Sequence, residues 1–235
     1  MKHLLLSPLF MIATLMFILP SCNSEDTDVL PANTIFDMVT FDAQTPEGAV
    51  FTLQRTQTSP VLTLVAARQQ VNTNTFPVGN RMIIAYTPDN GDPNRSGNIT
   101  LYGGAPVTNG NIQFQTAQAT ENFKSEKVRL TSAWLTGNYL NFEMRVDCTT
   151  EPKNCALYAD EATIGTDNPV VYLIFEADDL GSAYWQQLYA SFNIEELWDT
   201  GADHFTLVVR EASSIDGDYL KTFLKNPDAP VEPAE

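Results

Sequence analysis

The sequence predicts an all-β protein with two domains, a small barrel followed by an antiparallel β-sandwich. From residue 33 onward, apolar residues alternate with polar ones in short runs, which is the pattern of half-buried strands. Stretches rich in Gly, Pro, Asn and Asp separate these runs, as turns require. Hydrophobic residues make up 43% and charged residues 18% of the 235-residue chain, a balance that allows a packed core.

Residues 1–21 predict a lipoprotein signal peptide. Lys2 gives a short positive region, and the run from Leu4 to Ile18 is almost wholly apolar but short for a membrane span of about 20 residues. The run ends in Leu-Pro-Ser-Cys, which resembles a bacterial lipobox. The resemblance implies that Cys22 begins the mature chain and carries acyl chains such as palmitate, each buried methylene adding about 0.8 kcal/mol of membrane affinity. An uncleaved anchor or an ordinary secretory signal is the alternative.

An acidic tether, residues 22–32, follows the signal peptide. Its Asn-Ser-Glu-Asp-Thr-Asp stretch contains nothing apolar to pack, which predicts a solvated spacer. Ser24, Glu25 and Asp26 also resemble the acidic sorting signal that sends lipoproteins of Bacteroidetes to the outer face of the outer membrane. We therefore expect an outer-membrane lipoprotein at the cell surface, with the periplasmic face as the alternative.

Residues 33–125 predict the barrel. Five or six short strands within about 90 residues suit a small closed sheet. The expected strands are 34–41, 49–55, 61–66, 81–87, 98–103 and 111–116.

Residues 126–226 predict the sandwich. In the segment YLNFEMRV (139–146) apolar residues alternate with Asn141, Glu143 and Arg145, which indicates a strand with one dry and one wet face. A single helical turn is expected at 193–198, capped by its first residue, an asparagine. The expected strands are 127–135, 139–146, 170–177, 189–194, 204–212 and 218–224. The tail, 227–235, is too rich in Pro and acid to pack.

The charge distribution argues against nucleic acid as a partner. The formal net charge is −16, with −1 in the barrel domain and −10 in the sandwich domain. Binding to phosphates needs a basic face, and neither domain has a surplus of Lys and Arg. An acidic surface is also repelled by anionic lipid, so membrane affinity must come from the acyl chains on Cys22.

Two cysteines remain in the predicted mature chain besides the lipidated one. Cys148 and Cys155 are separated by six residues. Zinc would need two more ligands, and His204 is the only mature histidine. A redox pair usually has Cys-x-x-Cys spacing. We therefore expect a structural disulfide that closes a short loop, worth about 2–3 kcal/mol in the loop-entropy model, and neither a metal nor a cofactor.

Three segments carry a family resemblance. GNRMIIAYT (79–87), AWLTGNYLNFEMRV (133–146) and LYASFNIEEL (188–197) resemble, in order and spacing, the NigD-like lipoproteins of Bacteroidetes. The resemblance implies an OB-like barrel, a C-terminal sandwich and a link to bacteriocin production or immunity. The matched residues suggest an architectural role, a tight turn plus apolar faces. The loop between the two cysteines departs from the family pattern.

Signatures of catalysis are mostly missing from the sequence. There is no Gly-x-Ser-x-Gly, no His-Glu-x-x-His and no phosphate loop. His204 opens a strand without a nucleophile in a recognisable motif, so a surface role is expected. Paired acids such as Asp178 and Asp179 leave a carboxylate-based hydrolase as a residual alternative. We expect a non-catalytic protein that acts by binding or assembly.

The aromatic cluster AYWQQLY (183–189) holds the candidate ligand contacts. Tyr184 and Trp185 follow Gly181 in a segment expected to be a loop, where they can stack on a sugar or fill a pocket of a protein partner. The alternative is that one of them caps the sandwich core. The expected function is thus that of a NigD-like surface lipoprotein acting by binding or assembly in bacteriocin production or immunity, or else that of a glycan-binding or adhesin-like lipoprotein. The ligand is expected to be a protein or a glycan.

Overall fold

The computed structural model describes residues 30–116, 128–147, 154–176, 185–209 and 218–226. Its first five strands are β1 (Ile35–Thr45), β2 (Gly48–Leu53), β3 (Leu62–Ala67), β4 (Arg81–Pro88) and β5 (Gly97–Pro106). They close into a barrel with the order β1-β2-β3-β5-β4. β1 pairs with both β2 and β4, and β3 runs parallel to β5. This is the strand order of an OB-like barrel, so the expected fold of the first domain is confirmed.

Two sheets form the sandwich of the second domain. Their strands are β6 (Thr108–Asn111), β7 (Gln113–Gln115), β8 (Val128–Thr136), β9 (Tyr139–Asp147), β10 (Asn154–Asp160), β11 (Val170–Glu176), β12 (Trp185–Asn193), β13 (His204–Val209) and β14 (Tyr219–Leu224). One sheet contains five strands in the order β14-β13-β11-β10-β7, and the other contains four in the order β6-β12-β9-β8. The one helix in the described part of the chain, α1 (Glu195–Asp199), follows β12, and the side-chain oxygen of Asn193 accepts the Glu195 N–H at 2.8 Å.

The domain boundary lies earlier in the chain than residue 125. β6 runs parallel to β12 and β7 runs parallel to β10, so the expected barrel strand 111–116 is divided between the two sandwich sheets. Ile112, between β6 and β7, is 2% exposed and packs in the sandwich core. The pairing therefore places the boundary near residue 107, because both partners of this segment lie far along the chain and give no local signal.

Two further elements differ from the sequence-based expectation. β10 was not expected, and β12 begins at Trp185 rather than at residue 189. Trp185 pairs with Asp147 on β9, so it lies on a strand and not in a loop. The apolar period of two in this segment is interrupted by Gln186 and Gln187, which hides the first half of the strand from sequence reasoning.

Each domain has its own aromatic core. In the barrel the rings of Phe41 and Phe51 lie 5.6 Å apart between centroids. In the sandwich Phe205 stacks on Phe223 at 5.4 Å. The core of the sandwich is filled from the inward faces of both sheets, which leaves the outer face of the four-stranded sheet for other contacts.

Candidate functional site

Arg81 joins the barrel to the sandwich. It is the first residue of β4, lies on the outside of the barrel opposite Thr40, and is only 4% exposed. Its Nε donates to Ser191 Oγ at 3.1 Å, and its Nη2 donates to Thr136 Oγ1 at 3.1 Å and to Asn141 Oδ1 at 3.3 Å. Nη1 donates to Thr40 Oγ1 at 3.4 Å. One side chain from the barrel thus reaches three strands of the other domain.

The partners of Arg81 are themselves linked. Ser191 Oγ donates to Asn141 Oδ1 at 2.8 Å, so this amide oxygen accepts two hydrogen bonds. The guanidinium carbon lies 4.4 Å from the ring centroid of Tyr139, within cation–π range. The backbone N–H of Arg81 donates to Asn109 Oδ1 at 2.8 Å, which also ties β4 to β6. We call Arg81 with these side chains the joint.

Neutral hydrogen-bond acceptors and an aromatic ring surround the buried cation of Arg81. Within the described residues no carboxylate lies within ion-pair distance of its guanidinium. Burial lowers the pKa of Arg81 to about 10, so the side chain stays protonated at neutral pH. Hydrogen bonds to the charged form and the face of Tyr139 offset the loss of hydration. The arrangement orients the two domains relative to each other.

The three segments that carry the family resemblance meet at the joint. Arg81 comes from the first, Thr136, Tyr139 and Asn141 from the second, and Ser191 from the third. Sequence reasoning read these segments as a tight turn and apolar faces. The turn is present, since Gly137 has φ +55° between β8 and β9. The polar network was missed, and Asn141, assigned to a wet face, is fully buried because the barrel covers it.

A polar cleft of about 310 Å³ lies beside the joint. It runs between the ends of β1 and β2 and the turn that connects β8 to β9. Thr52, Gln54, Asn138 and Glu195 are among its lining residues, together with Arg81.

A second polar cluster closes the far end of the barrel. The hydroxyl of Tyr86 donates to Asp37 Oδ2 at 2.9 Å, and Arg55 forms an ion pair with the same carboxylate at 3.0 Å. Arg55 also donates to the backbone oxygen of Pro93 at 2.9 Å. Burial and the charge of Asp37 raise the pKa of Tyr86, which keeps its hydroxyl a donor. This cluster ties β1 and β4 to the segments that hold Arg55 and Pro93.

Trp185 lies on the outer face of the four-stranded sheet. Its side chain is 49% exposed, and the guanidinium carbon of Arg129 lies 6.0 Å from its ring centroid. Two residues further along β12, Gln187 donates to Glu143 Oε1 and to the hydroxyl of Tyr189, both at 2.6 Å. We call these five residues together with Arg145 the Trp185 face.

The remaining expected site residues are only partly described. Cys22, Cys148 and Tyr184 lie outside the described residues. Cys155 is described as a free thiol, 8% exposed, with its side chain in the sandwich core. Burial raises the pKa of this thiol to about 12. The disulfide with Cys148, the lipidation of Cys22 and the ligand contacts stay predictions.

In the part of the chain that is described, no group of three His, Cys, Asp or Glu residues is placed to hold a metal ion. Among the same residues, no helix combines the length and the apolar character needed to cross a bilayer.

A closed five-stranded barrel fixed by a buried arginine to a two-sheet sandwich defines a class of two-domain all-β proteins. Residues 111–223 match the family model described as the NigD-like C-terminal beta sandwich domain. The second domain is therefore a NigD-like C-terminal sandwich, and the resemblance seen in the sequence is confirmed. The match begins at the end of β6, close to the boundary that strand pairing gives.

Solved structures from Bacteroides species share the fold. A protein of unknown function from Bacteroides vulgatus has a TM-score of 0.65 at 15% identity, covering 81% of this chain and 90% of its own. A candidate lipoprotein from Bacteroides fragilis has a TM-score of 0.57 at 10% identity, covering 81% and 96%. A NigD-like immunity protein from Bacteroides caccae has a TM-score of 0.55 at 15% identity, covering 85% and 100%. The comparison with curated proteins gives no match.

Proposed function

We propose that this protein is a lipid-anchored, surface-exposed, non-catalytic binding protein that takes part in bacteriocin production or immunity. The observation that carries the proposal is the joint. The polar residues of the family segments use their hydrogen bonds to fix one domain on the other. Their role is therefore structural, which supports a non-catalytic protein. The match of the second domain to the NigD-like sandwich model and the fold shared with an immunity protein support the bacteriocin link.

The functional test is deletion of the gene in the native host. If the protein confers immunity, the deletion strain should become sensitive to the bacteriocin activity in the culture supernatant of the parent strain. If the protein is needed for production, the deletion strain should stop producing that activity. Complementation with the wild-type gene should restore the parental behaviour. An Asp178→Asn/Asp179→Asn double variant should restore it equally well, because the proposed function does not depend on carboxylate catalysis. A deletion strain that keeps both resistance and production would refute the bacteriocin link.

The anchor is tested separately by metabolic labelling with a palmitate analogue. Wild-type protein should be labelled and a Cys22→Ala variant should not, whereas Cys148→Ser, the matched control, should be labelled like the wild type. Protease treatment of intact cells should remove the wild-type protein if it is displayed at the surface. Equal labelling of the wild type and Cys22→Ala contradicts the anchor, and full protection from protease contradicts surface display.

A glycan-binding function is the second candidate, and the exposure of Trp185 favours it. A tryptophan that is 49% exposed on a flat sheet presents a ring face on which a sugar can stack. A glycan array with the wild type and Trp185→Ala tests this function. The matched control is Tyr102→Ala, since Tyr102 is an aromatic residue that is 39% exposed on the barrel. Loss of binding in Trp185→Ala alone supports the glycan function, and an array without any bound glycan excludes it.

A further inference from the structure

The Trp185 face contains two arginines placed directly opposite each other. Arg129 on β8 is the cross-strand partner of Arg145 on β9, and both side chains are exposed. Directly opposed like charges destabilise an antiparallel pair. The pair is also unusual for this chain, which has 13 Lys and Arg residues against 29 Asp and Glu residues. The fold therefore places two like charges side by side on this face.

Neither arginine has an anionic partner in the described part of the chain. The ion pairs found there involve Arg55 and His204, and no hydrogen bond from Arg129 or Arg145 is present. The contact that Arg129 does make is with the ring of Trp185. Two exposed guanidinium groups beside an exposed indole thus form one patch.

The remaining polar groups of the patch are held in place. Gln187, the cross-strand partner of Arg145, is hydrogen-bonded both to Glu143 and to Tyr189. Burial and the nearby charge of Glu143 raise the pKa of Tyr189, so its hydroxyl stays protonated at neutral pH. Glu143 is the one acid whose side chain is described on this face, and its carboxylate is already engaged by the Gln187 amide.

We propose that the Trp185 face binds an acidic glycan, with a carboxylate or sulfate between Arg129 and Arg145 and the sugar ring on Trp185. The proposal rests on the glycan-binding function and names its ligand class. An anion between the arginines removes their mutual repulsion and accepts charge-assisted hydrogen bonds from planar donors. Since the protein carries a net charge of −16, long polyanions are repelled overall, and a short oligosaccharide is the fitting ligand.

Isothermal titration calorimetry of the purified lipoprotein in a neutral detergent tests the ligand class. The probes are a trisaccharide of galacturonic acid, its neutral counterpart galactotriose, and a sulfated chondroitin disaccharide, all at one ionic strength. We expect at least tenfold tighter binding of an acidic probe than of galactotriose, which is about 1.4 kcal/mol. The carboxylated and sulfated probes identify which anion is preferred.

The variants are Arg129→Gln, Arg145→Gln and Trp185→Ala, with Arg95→Gln, an exposed arginine of the barrel, as the matched control. Each glutamine on the face should abolish the preference for acid, while Arg95→Gln should keep it. The melting temperature of Arg145→Gln without ligand should not fall, because the substitution removes a repulsion. Equal binding of acidic and neutral probes by the wild type overturns the proposal but leaves a glycan-binding protein. Absence of binding to all probes overturns both, and an equal loss in Arg95→Gln shows non-specific charge attraction and overturns the proposed site.

Discussion

Arg81 Nη2 lies 3.3 Å from Asn141 Oδ1, across a domain boundary and 60 positions apart in the chain. The contact links β4 of the barrel to β9 of the sandwich, and both residues are buried. A strand from each domain thus contributes one member of a single hydrogen-bonded pair. The relative placement of the two domains depends on this pair and on its immediate neighbours.

Replacing Arg81 with Met should destabilise the protein and uncouple its domains. The substitution removes four side-chain hydrogen bonds and leaves buried acceptors without a donor, a loss of about 2–4 kcal/mol. Arg81→Lys should recover little of this lost stability, because an ammonium group cannot reproduce the planar arrangement of donors of a guanidinium. The matched control is Arg95→Met, which should stay within about 0.5 kcal/mol of the wild type.

Urea unfolding followed by two signals measures the uncoupling. All three tryptophans lie in the sandwich, so their fluorescence reports that domain, while far-UV circular dichroism reports both. The two signals should share one midpoint in the wild type and separate in Arg81→Met. Coincident, unshifted midpoints in the variant would show that the joint contributes nothing to domain coupling.

Gly137→Ala should cost more stability than Gly165→Ala. Both glycines have positive φ, +55° and +78°, so each substitution places an alanine in the left-handed region at about 1–2 kcal/mol. A Cβ on Gly137 would also collide with the side chain of Gln54, whereas nothing lies within 4 Å of one on Gly165. Gln54 cannot move freely, because it donates to the backbone oxygens of Gln57 and Ser59.

The measurement is again the free energy of unfolding. Gly137→Ala should be less stable than Gly165→Ala by about 1 kcal/mol or more. Shortening the obstructing side chain, in a Gly137→Ala/Gln54→Ala double variant, should recover part of the difference. An equal decrease in the free energy of unfolding for the two single variants would mean that the clash with Gln54 does not reduce stability.

The state of Cys155 can be read from its reactivity. In protein exported by its native host, peptide mapping without reductant should recover Cys148 and Cys155 as one linked pair, since exported thiols are oxidised. In reduced protein the Cys155 thiol should resist alkylation at pH 8, because burial raises its pKa to about 12 and leaves little thiolate. Two free thiols in the exported protein would refute the disulfide, and fast alkylation of the folded, reduced form would contradict the burial of Cys155.

His204 should titrate above its usual pKa of about 6.5. A hydrogen bond with Asp203 raises the pKa of His204, and its other ring nitrogen lies 2.7 Å from the backbone oxygen of Asp167. Because the folded-state pKa is the higher one, this stabilisation is fully present below the unfolded pKa and is lost as pH rises through the folded pKa. The melting temperature should therefore fall slightly between pH 6 and 8.

Asp203→Asn is the test variant for that titration. Removing the predicted signal peptide leaves His204 as the only imidazole, so its proton resonances can be followed without overlap. The variant should show a lower pKa for His204 and a flatter melting temperature between pH 6 and 8. An unchanged titration curve would rule out Asp203 as the cause of the raised pKa.

By itself the sequence determined the fold class and the positions of the barrel strands along the chain. Alternation of apolar and polar residues is a local property with a period of two, so it predicts which residues of β4 or β9 face a core. The same alternation and the turn residues predicted six barrel strands, of which five are in the barrel, and the tight turn at Gly137. The family resemblance was readable for a similar reason, since it depends on short segments and their spacing.

Only the tertiary structure decided which surfaces meet. The period of two in β9 predicts that the side chain of Asn141 points away from the sandwich core. It does not show whether that outer face of the sheet is in contact with water or is covered by a second domain. The parallel pairing of β6 with β12 moved the domain boundary, and pairing with β9 turned an expected loop at Trp185 into a strand. These outcomes depend on contacts between residues far apart in the chain. Such contacts leave no periodic signal in the sequence, because the apolar and polar pattern of one strand does not identify the strand or domain that packs against it.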